Sequence, residues 1–311
     1  MDFLALLNAM PGAFAQGLIW GITAIGIYIT FKVLDIADLT VDGSLGTGGA
    51  VCIVMMMNGM NVYTAMIIAL IAGMLTGLVT GIFHTFMGIP AILAGILTQL
   101  ALYSVNLKIL GKSNQAINVD KYDLAVSLRY IKGVPLYKNT ILVVAVFVVV
   151  LMAALYWFFG TELGSSLRST GCNEGMSRAQ GINTNFAKVL GLMISNGIVA
   201  LSGALLAQYQ GNADINMGRG CIVIGLAAVI IGEAVFSFMT NFGLKLLAVA
   251  LGSIIYYIVY NFVIWLGIDP DLLKLLSAVL VAVFLAAPYL KKQYGRKPVK
   301  KVEVKENEQN A

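Results

Sequence analysis

Long apolar stretches separated by short polar segments run through most of the chain. The stretches of about twenty residues are 13–31, 62–83, 89–105, 140–159, 186–207, 244–266 and 273–290. Each is long enough to cross the hydrocarbon core of a bilayer as a helix. They are continuous rather than alternating, which disfavours a transmembrane β-barrel. The pattern therefore predicts an all-α polytopic membrane protein.

Two further apolar runs are too short for a full crossing, and each follows a polar, glycine-rich segment. DLTVDGSLGTGG (38–49) leads into the first run, residues 45–57, and overlaps its start. QYQGNADINMGRGC (208–221) precedes the second run, residues 222–231. This composition is typical of discontinuous membrane helices whose breaks meet near a solute path. We therefore predict about nine membrane helices, two of them discontinuous. The alternative for the first break is a plain loop followed by a short helix.

A polar segment between two predicted spans, STGCNEGMSRAQGI (169–182), is called the elbow below. It is too polar for hydrocarbon and must enter water at one membrane face. Asn173 suits a helix N-cap, Glu174 suits the positive first turn, and Gly181 suits the helix end. We predict a short helix outside the bilayer. The alternative is an ordinary solvated loop.

The distribution of positive charge predicts which side of the membrane each polar segment faces. Of the 311 residues 59% are hydrophobic and 11% charged, and the net charge is +5. Much of the positive excess lies in a basic tail, 291–311, directly after the last apolar run. Such a tail marks the cytoplasmic side of a membrane protein, and this orientation explains the charge more simply than nucleic-acid binding does. Counting spans back from the tail places the elbow in the cytoplasm too.

The sequence offers little for catalysis. There is a single histidine, His84, and there is no HExxH, CxxC or GxxxxGK[ST] motif. We therefore expect no enzyme activity, no metal site and no bound cofactor; if ATP drives this protein, a separate subunit binds it. Residues 44–107 contain no Asp, Glu, Lys or Arg. That weakens the alternative of a self-contained secondary carrier or channel, because coupled carriers usually keep ionisable groups inside the membrane.

Several segments, in order, resemble one family over nearly the whole chain. They are DIADLTVDGSLGTGGAV, GCNEGMSRAQGIN, VLGLMISNGIVALSGALLAQYQG, ADINMGRG and GLAAVIIGE. They resemble the permease subunits of bacterial ABC importers of the branched-chain amino-acid and ribose type. Within this group of permeases they look most similar to the branch linked to aromatic amino-acid uptake. The resemblance implies a single permease domain over residues 1–290, surrounded by membrane lipid.

The same resemblance implies partners and a mechanism. Two permease copies would form the pathway for a small polar solute such as an amino acid, ATPase subunits would dock on the cytoplasmic face, and an extracytoplasmic solute-binding protein would deliver the solute. The elbow would be the coupling helix, with contacts from Gly171, Asn173, Glu174, Gly175, Ser177, Arg178, Gln180 and Gly181. Glu233 stands where the family often has glycine; it is either a functional feature or a charge that caps the half-helix end.

The candidate solute path consists of polar side chains beside the two breaks or inside the apolar runs. They are Asp38, Thr40, Asp42, Ser44, Gln99, Asn196, Asn212 and Asn216. Only discontinuous backbone and polar side chains near mid-membrane can offer hydrogen bonds to a passing zwitterion. For Gln99 the alternative is a polar tie between helices.

Overall fold

The computed structural model describes residues 3–119, 121–131 and 138–267, together with 272, 275, 278–279, 281–283 and 286. The basic tail and most of the apolar run 273–290 lie outside the described residues. In the described part the chain is mostly helical. The helices are α1 (Phe3–Tyr28), α2 (Thr40–Met57), α3 (Val62–Thr85), α4 (Ala91–Leu110), α5 (Thr140–Phe159), α6 (Glu162–Cys172), α7 (Glu174–Ala179), α8 (Thr184–Gln210), α9 (Cys221–Val235) and α10 (Phe242–Trp265).

Seven helices in the described part of the chain are long and apolar enough to cross a membrane. They are α1 with its continuation to Val33, α2, α3, α4, α5, α8 and α10, whereas α9, with 15 residues, is shorter. Helices α1, α2 and α8 form the buried centre, and α4 and α5 expose much of their apolar surface. The prediction of a polytopic helical membrane protein is confirmed, and the count of nine helices stays a prediction.

The first break is shorter than predicted. Helix α1 widens into a π-helix at Ile29–Val33, residues 34–39 are non-helical, and Asp35 has a positive φ of 56°. From Thr40 onward α2 is regular through all its glycines, so the break predicted at 38–49 was wrong from residue 40 on. Packing outweighs the low helix propensity of glycine here, because a Cβ on Gly48 would clash with the backbone of Ala200 in α8.

The second polar segment separates α8 from α9. Gly211 ends α8 with a φ of 74°, residues 211–220 are non-helical, and Gly220, with a φ of 84°, precedes α9. Strand β2 (Asn212–Asp214) lies in this segment and pairs antiparallel with β1 (Asn114–Ala116). This small sheet was not predicted and departs from the all-α expectation.

A glycine seam joins α3 to α8. A Cβ on Gly73 would meet Asn196 and Ala200, one on Gly77 would meet the carbonyl of Leu192, and one on Gly81 would meet Val189. Small residues at four-residue spacing let the two backbones approach closely. The seam therefore holds α3 and α8 together at backbone contact.

Candidate functional site

The elbow consists of the end of one helix, a sharp bend and a second, short helix. Its first residues end α6, and its centre is the short helix α7. The Asn173 side chain caps α7 by accepting a hydrogen bond from the backbone N–H of Met176 at 3.0 Å. Gly181 follows with a φ of 84°. The predicted short helix and its Asn173 cap are therefore confirmed.

Glu174 ties α7 to the start of α8. Its Oε2 lies 2.7 Å from Lys188 Nζ, and its Oε1 lies 2.8 Å from Arg178 Nη2. Arg178 also donates to Thr184 Oγ1 at 3.1 Å. The hydrogen bond from Lys188, with the positive charges of Lys188 and Arg178, lowers the pKa of the Glu174 carboxyl. The Glu174 carboxylate therefore stays ionised at neutral pH. Its ion pairs with Lys188 and Arg178 are called the elbow lock below.

The eight predicted coupling residues divide into two groups. One group is exposed or half-exposed on the elbow surface: Asn173, Glu174, Gly175, Arg178, Gln180 and Gly181. The other group faces inward. Ser177 is only 2% exposed, so it supports α7 from beneath and cannot offer a contact to a partner.

Gly171 also faces inward, and it joins the elbow to the first break. A Cβ at this position would clash with the carbonyl of Val33 and lie 2.9 Å from the Cα of Leu34. The C-terminal turn of α6 therefore rests directly on the backbone where α1 ends. Val33 and Leu34 are therefore in direct contact with the elbow.

A buried hydrogen-bond network follows the first break. Asn196 of α8 donates from Nδ2 to Asp38 Oδ2 at 2.6 Å and accepts from Ser44 Oγ at 2.6 Å. Ser44 also lies 2.7 Å from Thr76 Oγ1, and Asp38 Oδ1 accepts from the Thr40 backbone N–H at 2.9 Å. The network links α2, α3 and α8 through the break.

A second chain of hydroxyls extends the network to α4. Thr40 Oγ1 lies 2.7 Å from Thr80 Oγ1, which donates to Thr98 Oγ1 at 2.9 Å. Sequence reasoning missed Thr76, Thr80 and Thr98. A signal was available for the first two, because Thr76 and Thr80 are one turn apart on α3 and share a face.

This placement changes what four predicted path residues do. Asp38, Thr40, Ser44 and Asn196 are each no more than 3% exposed, and they are bonded to one another rather than open to a cavity. A buried charged or polar group requires partners, and here the helices supply them. These four side chains are therefore packed together in the interior of the bundle.

Asp42 has a different role. Its Oδ2 accepts from the Gly220 backbone N–H at 3.1 Å and its Oδ1 from the Ile222 backbone N–H at 3.0 Å. The first N–H groups of a helix have no intrahelical acceptor, and Gly220 has no side chain to cap α9. Asp42 therefore caps α9 from another helix, which links the two polar segments.

Asp42 also lines a cavity of about 310 Å³ with Gln99, Tyr103, Asn106 and Arg219. Asn106 is 1% exposed, and its Oδ1 has no hydrogen-bond partner among the described residues. Arg219 lies with its guanidinium carbon 6.0 Å from the centre of the Tyr103 ring. Sequence reasoning assigned Asn106 to a loop because the apolar run ends at Val105, but α4 continues to Leu110.

The two remaining path candidates lie elsewhere. Asn212 is in β2, opposite Ala116. Asn216 lines a second cavity, of about 540 Å³, with Trp20, Tyr257 and Arg219. The eight predicted path residues therefore do not form one site, and Arg219 lies between the two cavities.

Glu233 forms an ion pair with Lys32, with Oε2 and Nζ 2.8 Å apart. It lies near the C-terminal end of α9, where the helix dipole disfavours a negative charge, so it cannot act as a cap there. Lys32 of the π-helix compensates that charge and links α9 to α1. The described residues hold no group of three or more His, Cys, Asp or Glu that could bind a metal ion.

Comparison with known proteins adds to this geometry. Residues 10–287 match the family described as branched-chain amino acid transport system, permease component. A tyrosine transport system permease protein of Clostridioides difficile is 37% identical, with 90% of this chain and 91% of that protein covered. A fructose import permease protein of Bifidobacterium longum is 26% identical, with 91% and 80% covered.

A solved structure shares the fold. It is a chain of PsaBC from Streptococcus pneumoniae in complex with Fab, with a TM-score of 0.55 at 15% identity. The match covers 94% of this chain and all of that chain.

Proposed function

This chain belongs to the family of branched-chain amino acid transport permease components, and from that premise we propose that it is the membrane-spanning subunit of an ATP-driven amino-acid importer whose elbow receives the ATPase. One observation carries the proposal. Glu174 locks the exposed helix α7 onto α8 through Lys188, so a force on α7 enters a long central helix.

The contacts beyond the elbow support its role as a lever. The end of α6 rests on Val33 and Leu34 through Gly171, and the residues that follow lead into the hydrogen bond between Asp38 and Asn196. Packed interfaces switch between discrete arrangements rather than deforming continuously. Closure of the ATPase would rock the bundle by rearranging this buried network, opening the interior in which Asp38, Thr40, Ser44 and Asn196 are packed.

The partners follow from the same proposal. ATPase subunits would bind the nucleotide, because this sequence contains no phosphate-binding loop. A second permease copy would complete the pathway, an extracytoplasmic binding protein would deliver the solute, and the basic tail would lie in the cytoplasm. The proposed solute class is an amino acid, which the 37% identity to a tyrosine permease supports.

The test targets the elbow. Glu174 and Arg178 are both replaced by alanine in the permease expressed with its ATPase, and co-purification is measured. The matched control is the exposed ion pair Asp123–Lys138, with atoms 3.6 Å apart, likewise replaced by alanine.

We expect the elbow variant to lose the ATPase while still eluting as a monodisperse protein in detergent, and the control to retain it. Intact complex formation and uptake in the elbow variant would refute the docking role.

A further inference from the structure

The 540 Å³ cavity has a distinctive composition, with a deep aromatic end and a polar mouth. Trp20, Tyr256 and Tyr257 are buried, and Tyr260 is half-buried beside them. The ring centres of Trp20 and Tyr257 are 6.0 Å apart, and those of Tyr257 and Tyr260 are 5.8 Å apart. Rings at these spacings form a surface on which another flat ring can stack.

The mouth is polar and carries a charge. Arg219 is exposed there with Gln210 and Asn216, and it is the charged side chain among the described lining residues. A guanidinium binds carboxylates with two parallel hydrogen bonds. The same mouth is therefore suited to a solute with a carboxylate.

The deep end holds an unused donor. Trp20 is 7% exposed, and its indole Nε1 is buried with no hydrogen-bond partner among the described residues. A buried donor without an acceptor is costly, so an acceptor oxygen on a bound ligand would be stabilised at this position.

The cavity lies away from the elbow. Trp20 is about 20 Å along α1 from Val33, where the elbow rests, at 1.5 Å per residue. Tyr256 lies about as far along α10 from its first residue, Phe242, which packs beside Arg168 of α6. In the proposed importer, that half of the protein faces the delivering binding protein.

We propose that this cavity binds an aromatic amino acid bearing a ring hydroxyl. Its carboxylate binds Arg219 at the mouth, its ring stacks among Tyr256, Tyr257 and Tyr260, and its hydroxyl oxygen accepts from Trp20 Nε1. The volume lies within the range of small-molecule sites. This inference rests on the proposed function and adds the site and its ligand class.

The experiment is photolabelling of the permease purified with its ATPase. The probe is 4-azido-L-phenylalanine, and the labelled peptides are mapped by mass spectrometry. We expect label on the part of α10 that holds Tyr256 to Tyr260, displaced by tyrosine and not by leucine. Label only elsewhere, or equal displacement by leucine, would overturn the proposal.

Variants separate the two polar contacts. Trp20→Phe keeps a ring and removes the donor, so tyrosine should displace about fivefold less well while phenylalanine is unchanged. Arg219→Gln should weaken displacement by both amino acids about tenfold, yet leave displacement by tyramine, which lacks a carboxylate, unchanged. Trp157→Phe is the control, because Trp157 lies in α5 and is 74% exposed. This substitution should leave displacement by tyrosine and by phenylalanine unchanged.

Uptake into proteoliposomes that hold the same complexes, measured with the extracytoplasmic binding protein present, distinguishes this proposal from the proposed function. ATP-dependent tyrosine uptake that is insensitive to both Trp20→Phe and Arg219→Gln would overturn the site alone. Absence of ATP-dependent uptake of any amino acid would overturn both.

Discussion

The Asp42 carboxylate accepts a hydrogen bond from the backbone N–H of Ile222 at 3.0 Å, although the two residues are 180 positions apart in the sequence. A side chain in the first turn of α2 thus supplies the cap that α9 lacks. N-terminal caps and charge near a helix start each contribute on the order of 1 kcal/mol. The contact fixes how the first and second polar segments meet.

Replacing Asp42 should therefore destabilise α9. We expect Asp42→Ala to lower the free energy of unfolding by about 1–2 kcal/mol and Asp42→Asn by less, because asparagine still accepts one hydrogen bond. Thermal unfolding in detergent, followed by size-exclusion fluorescence, measures this. An Asp42→Ala protein as heat-stable as the wild type would show that the cap contributes nothing.

Removing the buried amide of Asn196 should lower the stability of the protein more than removing a half-buried amide does. Asn196→Ala leaves Asp38 Oδ2 and Ser44 Oγ without this partner, and a buried polar group that loses its hydrogen-bond partner costs about 1–3 kcal/mol. Asn261→Ala is the control, because its amide makes only one half-buried bond, to the Tyr257 carbonyl at 3.2 Å. The two melting temperatures, compared in one detergent, should differ clearly; equal losses would contradict the network.

The glycine seam makes a prediction about added volume. Gly77→Ala places a methyl group against the Leu192 carbonyl and should cost about 1–3 kcal/mol by forcing α3 from α8. Gly175→Ala is the control, since its Cβ would lie 3.5 Å from Asn173 Oδ1, an ordinary contact. Thermal stability of both variants is the measurement, and a stable Gly77→Ala protein would refute the close approach.

The elbow lock should depend on pH in one direction. Because the pKa of Glu174 is lowered in the folded protein, its contribution is complete above the unfolded value of about 4.5. That contribution is lost as the pH falls through the lower folded pKa.

The corresponding measurement compares wild type with Glu174→Gln between pH 7 and pH 3.5. The difference in melting temperature should stay constant down to about pH 4.5 and shrink below it. A difference that disappears already between pH 7 and pH 5 would contradict the sign of the shift.

The sequence predicted elements that depend on local chemistry. Apolar length predicted α5 with its observed bounds, and the Asn173 cap followed from side-chain geometry within three residues. The four-residue spacing of Gly73, Gly77 and Gly81 is likewise a local signal, because small residues one helical turn apart favour close contact between helices.

Predictions failed where long-range packing decides. The polar, glycine-rich composition predicted a break at 38–49, yet α8 and the 211–220 segment pack against α2, which is helical from Thr40 on. The role of Asp42 as a cap of α9 was missed because the N–H groups that it binds belong to Gly220 and Ile222, far away in the sequence. Ser177 was assigned to the surface because a six-residue helix shows too little periodicity to indicate which side faces inward.

Helix α7 has six residues, and a helix of that length does not hold together by itself in water. Its conformation depends on the Asn173 cap and on the bonds of Glu174 to Lys188 and Arg178, all of which are made within this chain. Any protein that grips this end of the bundle meets a surface that is already ordered. Little conformational entropy remains to be lost on contact, so repeated docking and release can be fast.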